Sequence, residues 1–116
     1  MAIDQDQSRV TREHLLSADF DARIDRIEAY RVTLRPGQKS GDHVHPGGVI
    51  GCVLNGEVLF APQSQEQRRL GPGDAFFEPP GVPIAHFDNA SETATAIFIA
   101  FYPLAGAQAL IEMSDE

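Results

Sequence analysis

Gly37-Gln38-Lys39-Ser40-Gly41-Asp42-His43-Val44-His45-Pro46-Gly47-Gly48-Val49-Ile50-Gly51-Cys52-Val53-Leu54-Asn55-Gly56 is the stretch on which the reading of this chain turns. Its centre is an H-x-H pair. Alternate side chains of a β-strand share a face, so His43 and His45 point their rings the same way and can reach one metal ion. Neutral imidazole is the commonest side-chain ligand for zinc, iron, nickel and copper. Two surface histidines on a loop would give the same three letters, so the flanking residues have to decide.

The 116 residues suit one domain, long enough to bury a core and too short for two. A 42% apolar and 22% charged composition is that of a globular chain. A net charge of -8 with only nine scattered Lys and Arg residues argues against nucleic acid and against membrane surfaces as partners. No apolar run is long enough to span a bilayer, and Met1-Ala2-Ile3-Asp4-Gln5-Asp6 is acidic where a secretory signal is basic. A cytoplasmic location is the expectation. The single cysteine, Cys52, has no intrachain partner and lies in an apolar run, so it reads as a buried, inert thiol.

Outward from the histidines, the turn signals are dense. Residues 1–20 form a polar, acidic arm with one apolar pair, Leu15-Leu16, expected to be disordered or to pack as a short helix, and residues 21–116 form the domain. A β-rich stretch from Ile24 ends at Arg35-Pro36-Gly37, and Val49 to Leu54 stops at Asn55-Gly56, a strong hairpin signal. Glu57 to Ala61 returns, and Pro62 to Arg69 is a polar hairpin tip. Leu70-Gly71-Pro72-Gly73-Asp74 turns into Ala75-Phe76-Phe77-Glu78, and Pro79-Pro80-Gly81-Val82-Pro83 cannot continue a central strand. Ile84 to Phe87 resumes the extended pattern, Asp88 to Ser91 turns, and Thr95 to Tyr102 is a continuously apolar strand. After Pro103 the tail forms a helical turn or a short edge strand. Short strands and frequent turns describe an all-β sandwich or barrel.

Two spaced motifs make the chain resemble a single-domain cupin, a small jelly-roll β-barrel. In that family the first motif runs Gly, five residues, His-x-His, three or four residues, Glu, six residues, Gly; here Gly37, His43, His45 and Gly56 stand at those places. The second runs Gly, five residues, Pro, one residue, Gly, two residues, His, and Gly73, Pro79 and Gly81 fit it. Two departures touch the metal ligands that the resemblance implies. Val49 occupies the place of the motif glutamate, and Ile84 that of the motif histidine, with His86 two residues later. Because a two-residue step along a strand preserves the face, His86 is expected to replace it, through a loop two residues longer.

Convergence of His43, His45 and His86 would give a three-histidine site for a divalent transition metal, Fe, Zn, Ni, Cu or Mn, with a position open for chemistry. Within the resemblance, such sites occur in small dioxygenases. Glu78 and Phe101 are the candidate ligand-binding residues, Glu78 being open to three readings: a replacement metal ligand, a base of raised pKa, or a surface carboxylate. Glu57 and Asp74 read as turn caps, and His14 as a solvated arm residue. No phosphate loop and no nucleophile elbow are present. The expected function is a metal-binding cupin, an oxygenase or other metal-dependent enzyme acting on a small apolar molecule. The alternative is a non-enzymatic barrel that binds or senses a small molecule; a homodimer is expected in either case, since the edges of small sheets are usually covered.

Overall fold

The computed structural model describes residues 10–63 and 65–114. The first nine residues of the expected arm and Ser64 of the hairpin tip lie outside them. The described residues contain nine strands and no helix. In chain order they are β1 (Arg26–Leu34), β2 (His43–Val44), β3 (Val49–Asn55), β4 (Val58–Pro62), β5 (Arg68–Leu70), β6 (Ala75–Glu78), β7 (Ile84–Asn89), β8 (Ala96–Leu104) and β9 (Glu112–Met113). They build one sheet in the order β1-β8-β3-β6 and a second in the order β5-β4-β7-β2-β9, with antiparallel pairing throughout. This is the jelly roll expected from the sequence.

Period-two patterning explains why the two sheets face each other. Val49, Gly51 and Val53 of β3 are buried while Ile50 and Cys52 between them are half-exposed. Ala96, Phe98, Ala100 and Tyr102 of β8 do the same. Between the sheets, Phe76 and Phe98 from one meet Phe60 and Phe87 from the other, with centroids of neighbouring rings 4.7–6.1 Å apart. The Asn55-Gly56 turn does not close the expected hairpin: β3 pairs with β6 and β8 and β4 with β5 and β7, so the turn carries the chain from one sheet to the other, with Gly56 at φ 80°. A Cβ there would also press against the carbonyl of Thr95, 2.7 Å away.

Several expectations change in detail. The hairpin tip includes the short strand β5, because Leu70 is buried and holds Arg68 and Arg69 in register with β4. Residues 10–20 form no helix: Leu16, Ala18 and Phe20 alternate as half-buried side chains, and Phe20 lays its ring edge against Phe77, 5.4 Å between centroids. The tail takes the edge-strand alternative as β9, paired with β2. Cys52 is half-buried and lines an open groove beneath the arm, together with Leu16 and Ala75.

Candidate metal centre

His43 lies in β2 and His45 directly follows it, and both rings are almost completely buried. Pro46 ends the strand, and the chain turns back through Gly48, whose N–H donates to the carbonyl of His45 at 2.9 Å. The same carbonyl accepts the N–H of Gly81 at 3.0 Å. This pins the Pro79-Pro80-Gly81 turn, and with it the end of β6, beside the histidines. Gly48 sits at φ 81°, and a Cβ on it would meet Pro80 and the carbonyl of Glu78.

Glu78, the last residue of β6, enters the space so defined. Its Oε1 is 3.0 Å from Nε2 of His45 and 3.4 Å from Nε2 of His43, and its side chain is 3% exposed. Val49 is its cross-strand partner in the β3–β6 register, so both residues project to the same face of the sheet. The carboxylate missing from position 49 is therefore supplied one strand over. Of the readings the sequence left open for Glu78, burial excludes a plain surface carboxylate.

The protons of the two rings follow from their other nitrogens. Nδ1 of His43 bonds the carbonyl of Gly41 and Nδ1 of His45 that of Leu110, each at 2.8 Å. A carbonyl only accepts, so both Nδ1 atoms carry hydrogen and, in the neutral rings, both Nε2 atoms present lone pairs. These face Oε1 of Glu78, a buried oxygen without a hydrogen-bond partner. Burial by itself would depress His43, but the Glu78 carboxylate beside its Nε2 and then the Gly41 carbonyl outweigh it and hold its pKa above the usual imidazole value. Burial likewise pushes Glu78 up, but His43 and His45 outweigh it and leave its carboxyl below the usual carboxylate range. The site thus stabilises added positive charge.

A divalent ion fits this donor set. The three ligand atoms lie within 4.8 Å of one another, and separations of 3.0 and 3.4 Å match the edges between ligands held at about 2.0–2.1 Å. Carbonyl acceptors on both Nδ1–H groups are the outer partners that metal-bound histidines usually have. Two imidazoles and one carboxylate would leave such an ion with positions open for a further ligand.

The structure does not bring His86 to this cluster. Its side chain is 49% exposed and its Nδ1 bonds Oδ2 of Asp88 at 2.9 Å. The cause is a register shift in β7. Ala61 pairs with His86 but Pro62 pairs with Ile84, leaving Ala85 as an extra residue. The bulge reverses the alternation, so Ile84 and Phe87 face the core and His86 turns outward. A site of two histidines and one carboxylate stands where three histidines were expected.

Phe101 is likewise placed away from the cluster: it is 41% exposed on the outer face of β8, whereas the next residue, Tyr102, faces inward. The ring of Tyr102 is 5.5 Å from that of His45, centroid to centroid, and its pKa is pushed up to about 12 by burial and then by the charge of Glu78. The sequence places Tyr102 only as the end of the apolar stretch that begins at Thr95. Counting alternation back from the buried end of β8 would have separated it from Phe101. His14 is exposed and hydrogen-bonds Ser17. Asp74 accepts the N–H of Gly71 across its turn, whereas Glu57 pairs with Arg69.

Beside the cluster lies a cavity of about 190 Å3. Val32, Leu34, Val49 and Phe98 contribute apolar wall, and Ser40, Glu78 and Tyr102 polar groups. Drug-sized ligands occupy roughly 300–1,000 Å3, so this space takes a smaller molecule.

A model of the Cupin domain matches residues 30–102. The dimethylsulfoniopropionate lyase DddQ of Ruegeria pomeroyi is 41% identical over 61 residues, which is 53% of this chain and 30% of the lyase. The crystal structure of DddQ from Ruegeria pomeroyi superposes with a TM-score of 0.67 at 29% identity, covering 78% of this chain and 44% of that one. A cupin-like protein from Thermotoga maritima gives a TM-score of 0.64 at 25% identity, over 76% of this chain and 64% of that one. The chain spans less than half the length of the lyase it matches.

Proposed function

This chain belongs to the cupin-domain family, and from that premise we propose that it is a metal-dependent enzyme in which His43, His45 and Glu78 hold a divalent transition metal, with lyase chemistry on a small carboxylate substrate. The observation that carries the metal is the meeting of two Nε2 lone pairs and an unpartnered carboxylate oxygen in a buried pocket. A cluster of that kind repels itself until a cation enters it. A divalent ion held by His43, His45 and Glu78 would supply Lewis acidity toward a substrate carboxylate.

The chain's own residues shape what the site takes. Val32, Leu34, Val49 and Phe98 exclude water from the substrate's apolar part. Tyr102, with its pKa raised to about 12, stays a neutral phenol at physiological pH and can donate a hydrogen bond to an anionic substrate. Lyase chemistry is supported by the similarity to the dimethylsulfoniopropionate lyase, whose substrate is a small propionate.

A second reading, an iron-dependent oxygenase, draws on the donor set itself, because two histidines and one carboxylate with open positions also serve non-haem iron oxygenases. Both readings are tested on protein purified without a histidine tag, analysed for metals, and incubated with dimethylsulfoniopropionate under argon and in air. Substrate loss under argon supports the lyase; oxygen uptake supports the oxygenase. Protein that contains no metal and takes up none would overturn both, leaving a binding barrel. The homodimer remains part of the proposal, and light scattering measures it.

A further inference from the structure

The last described residues cross the mouth of the cavity. After β8 ends at Leu104, residues 106–114 are exposed apart from Leu110, which packs against the core. At its near end this segment is latched by β1 and the residue before it. The N–H of Gly106 donates to Oδ2 of Asp25 at 2.8 Å, and Nη1 of Arg26 donates to the carbonyl of Gly106 at 2.9 Å. At its far end, β9 pairs His43 with Met113 and Val44 with Glu112, and the N–H of Ser114 bonds the carbonyl of Asp42 at 2.9 Å.

Between these anchors the segment touches the metal centre twice. The carbonyl of Leu110 is the acceptor for Nδ1–H of His45. The next side chain, Ile111, lines the cavity and is also 42% exposed, which places it at the entrance, between the cavity and the solvent. A segment held by one latch, one half-buried leucine and a two-residue strand pairing opens at low cost compared with the barrel beneath it.

We propose that residues 105–114 form a strap over the site, in which the Leu110 carbonyl is a positioning group for His45 and Ile111 is the wall that limits substrate size. The metal-dependent part rests on the function proposed above. When the strap is closed, the carbonyl fixes the His45 ring with its Nε2 lone pair toward Glu78. When it lifts, the Nδ1–H donates to water in place of the carbonyl and the entrance widens.

The test uses the full chain with Asp25→Ala/Arg26→Ala, which removes both latch bonds from an exposed position, and Ile111→Ala. Exchange of the His45 ring Nδ1 proton with solvent, read by NMR on metal-free protein, should accelerate at least tenfold in the latch variant. The Co2+ dissociation constant should rise about tenfold, the lower range for loss of an outer partner of a ligand. Asp25→Asn alone, which keeps an acceptor oxygen toward Gly106 and leaves Arg26 in place, should hold both near the parent values. In Ile111→Ala, benzoate should perturb the Co2+ absorption spectrum at concentrations where only acetate does so in the parent. Unchanged proton exchange in the latch variant, or the same preference between acetate and benzoate without Ile111, would overturn the strap. If the parent takes up no Co2+, the metal assignment falls and the ring proton still decides the strap.

Discussion

Glu78 stands where it could perform from β6 the task that the motif would give to position 49 of β3, because the two residues are direct cross-strand partners. Opposed side chains on one face sit about 4.5–5.5 Å apart at Cβ, so a carboxylate on either strand can serve the same ion. Removing it with Glu78→Val should weaken Zn2+ binding by roughly a hundredfold or more, since one of three ligands and the only negative charge among them is lost. The double variant Val49→Glu/Glu78→Val should recover affinity to within about tenfold of the parent, because the carboxylate has only moved to the opposing strand. Isothermal titration measures both, with His86→Ala as a control expected to bind as the parent does, its ring being outside the cluster. A double variant as weak as the single one would show that the site needs its carboxylate from β6 alone.

Elements place the ligands through turns, and turns are where the glycines are indispensable. Gly48 closes the loop after His45 at φ 81°, and a Cβ there would lie 3.0 Å from Pro80 and 3.1 Å from the carbonyl of Glu78. Gly48→Ala should therefore cost about 1–3 kcal/mol, read as a lower urea midpoint, and should also weaken metal binding by moving β6 away from His45. The H-x-H pair, the turn at Asn55-Gly56 and the Pro-Pro-Gly turn were legible in the sequence, because each is a short-range signal written in residue type; that the strands flanking Asn55-Gly56 join different sheets and not a hairpin was not. The bulge at Ala85 was not. A single extra residue leaves no compositional trace, yet it inverts the face of everything after it, and so His86 was assigned inward when it points out. The pairing of Val49 with Glu78 was equally hidden, since register between strands some thirty residues apart is set by packing and not by either strand alone. The tail's edge strand stood as one of two alternatives, since two residues, Glu112-Met113, carry no period by which to choose it, although that strand buttresses the one carrying His43.

At the scale of the whole molecule, the proposed metal would join the two sheets. His43 lies in the five-stranded sheet with His45 at the end of the same strand, and Glu78 belongs to the four-stranded one. An ion held at a hundred times its dissociation constant stabilises the folded state by about 2.7 kcal/mol, which for a domain of this size is a rise in Tm of about 10 °C. Calorimetry of stripped protein with and without Zn2+ should show that rise, and Glu78→Val should not. High pH tests the dryness of the barrel independently. The chain has two tyrosines and no tryptophan, so phenolate absorbance reports those two residues cleanly. Tyr30 is raised by its hydrogen bond to Glu28, and Tyr102 is raised to about 12 by burial and then by the charge of Glu78. In the unfolded chain both ionise near 10, so the folded state holds the phenol protons more tightly. Its stability is complete below pH 10 and is lost as pH rises through 12, by on the order of 2 kcal/mol for Tyr102. A spectrophotometric titration of metal-free protein should accordingly show no full phenolate wave at pH 10. Tyr102→Phe should remove the later of the two steps and with it part of the alkaline loss of stability. An ordinary titration of Tyr102 near pH 10 would mean that water reaches the phenol freely, and a pocket that wet could not hold a buried His43–His45–Glu78 cluster in the geometry seen here.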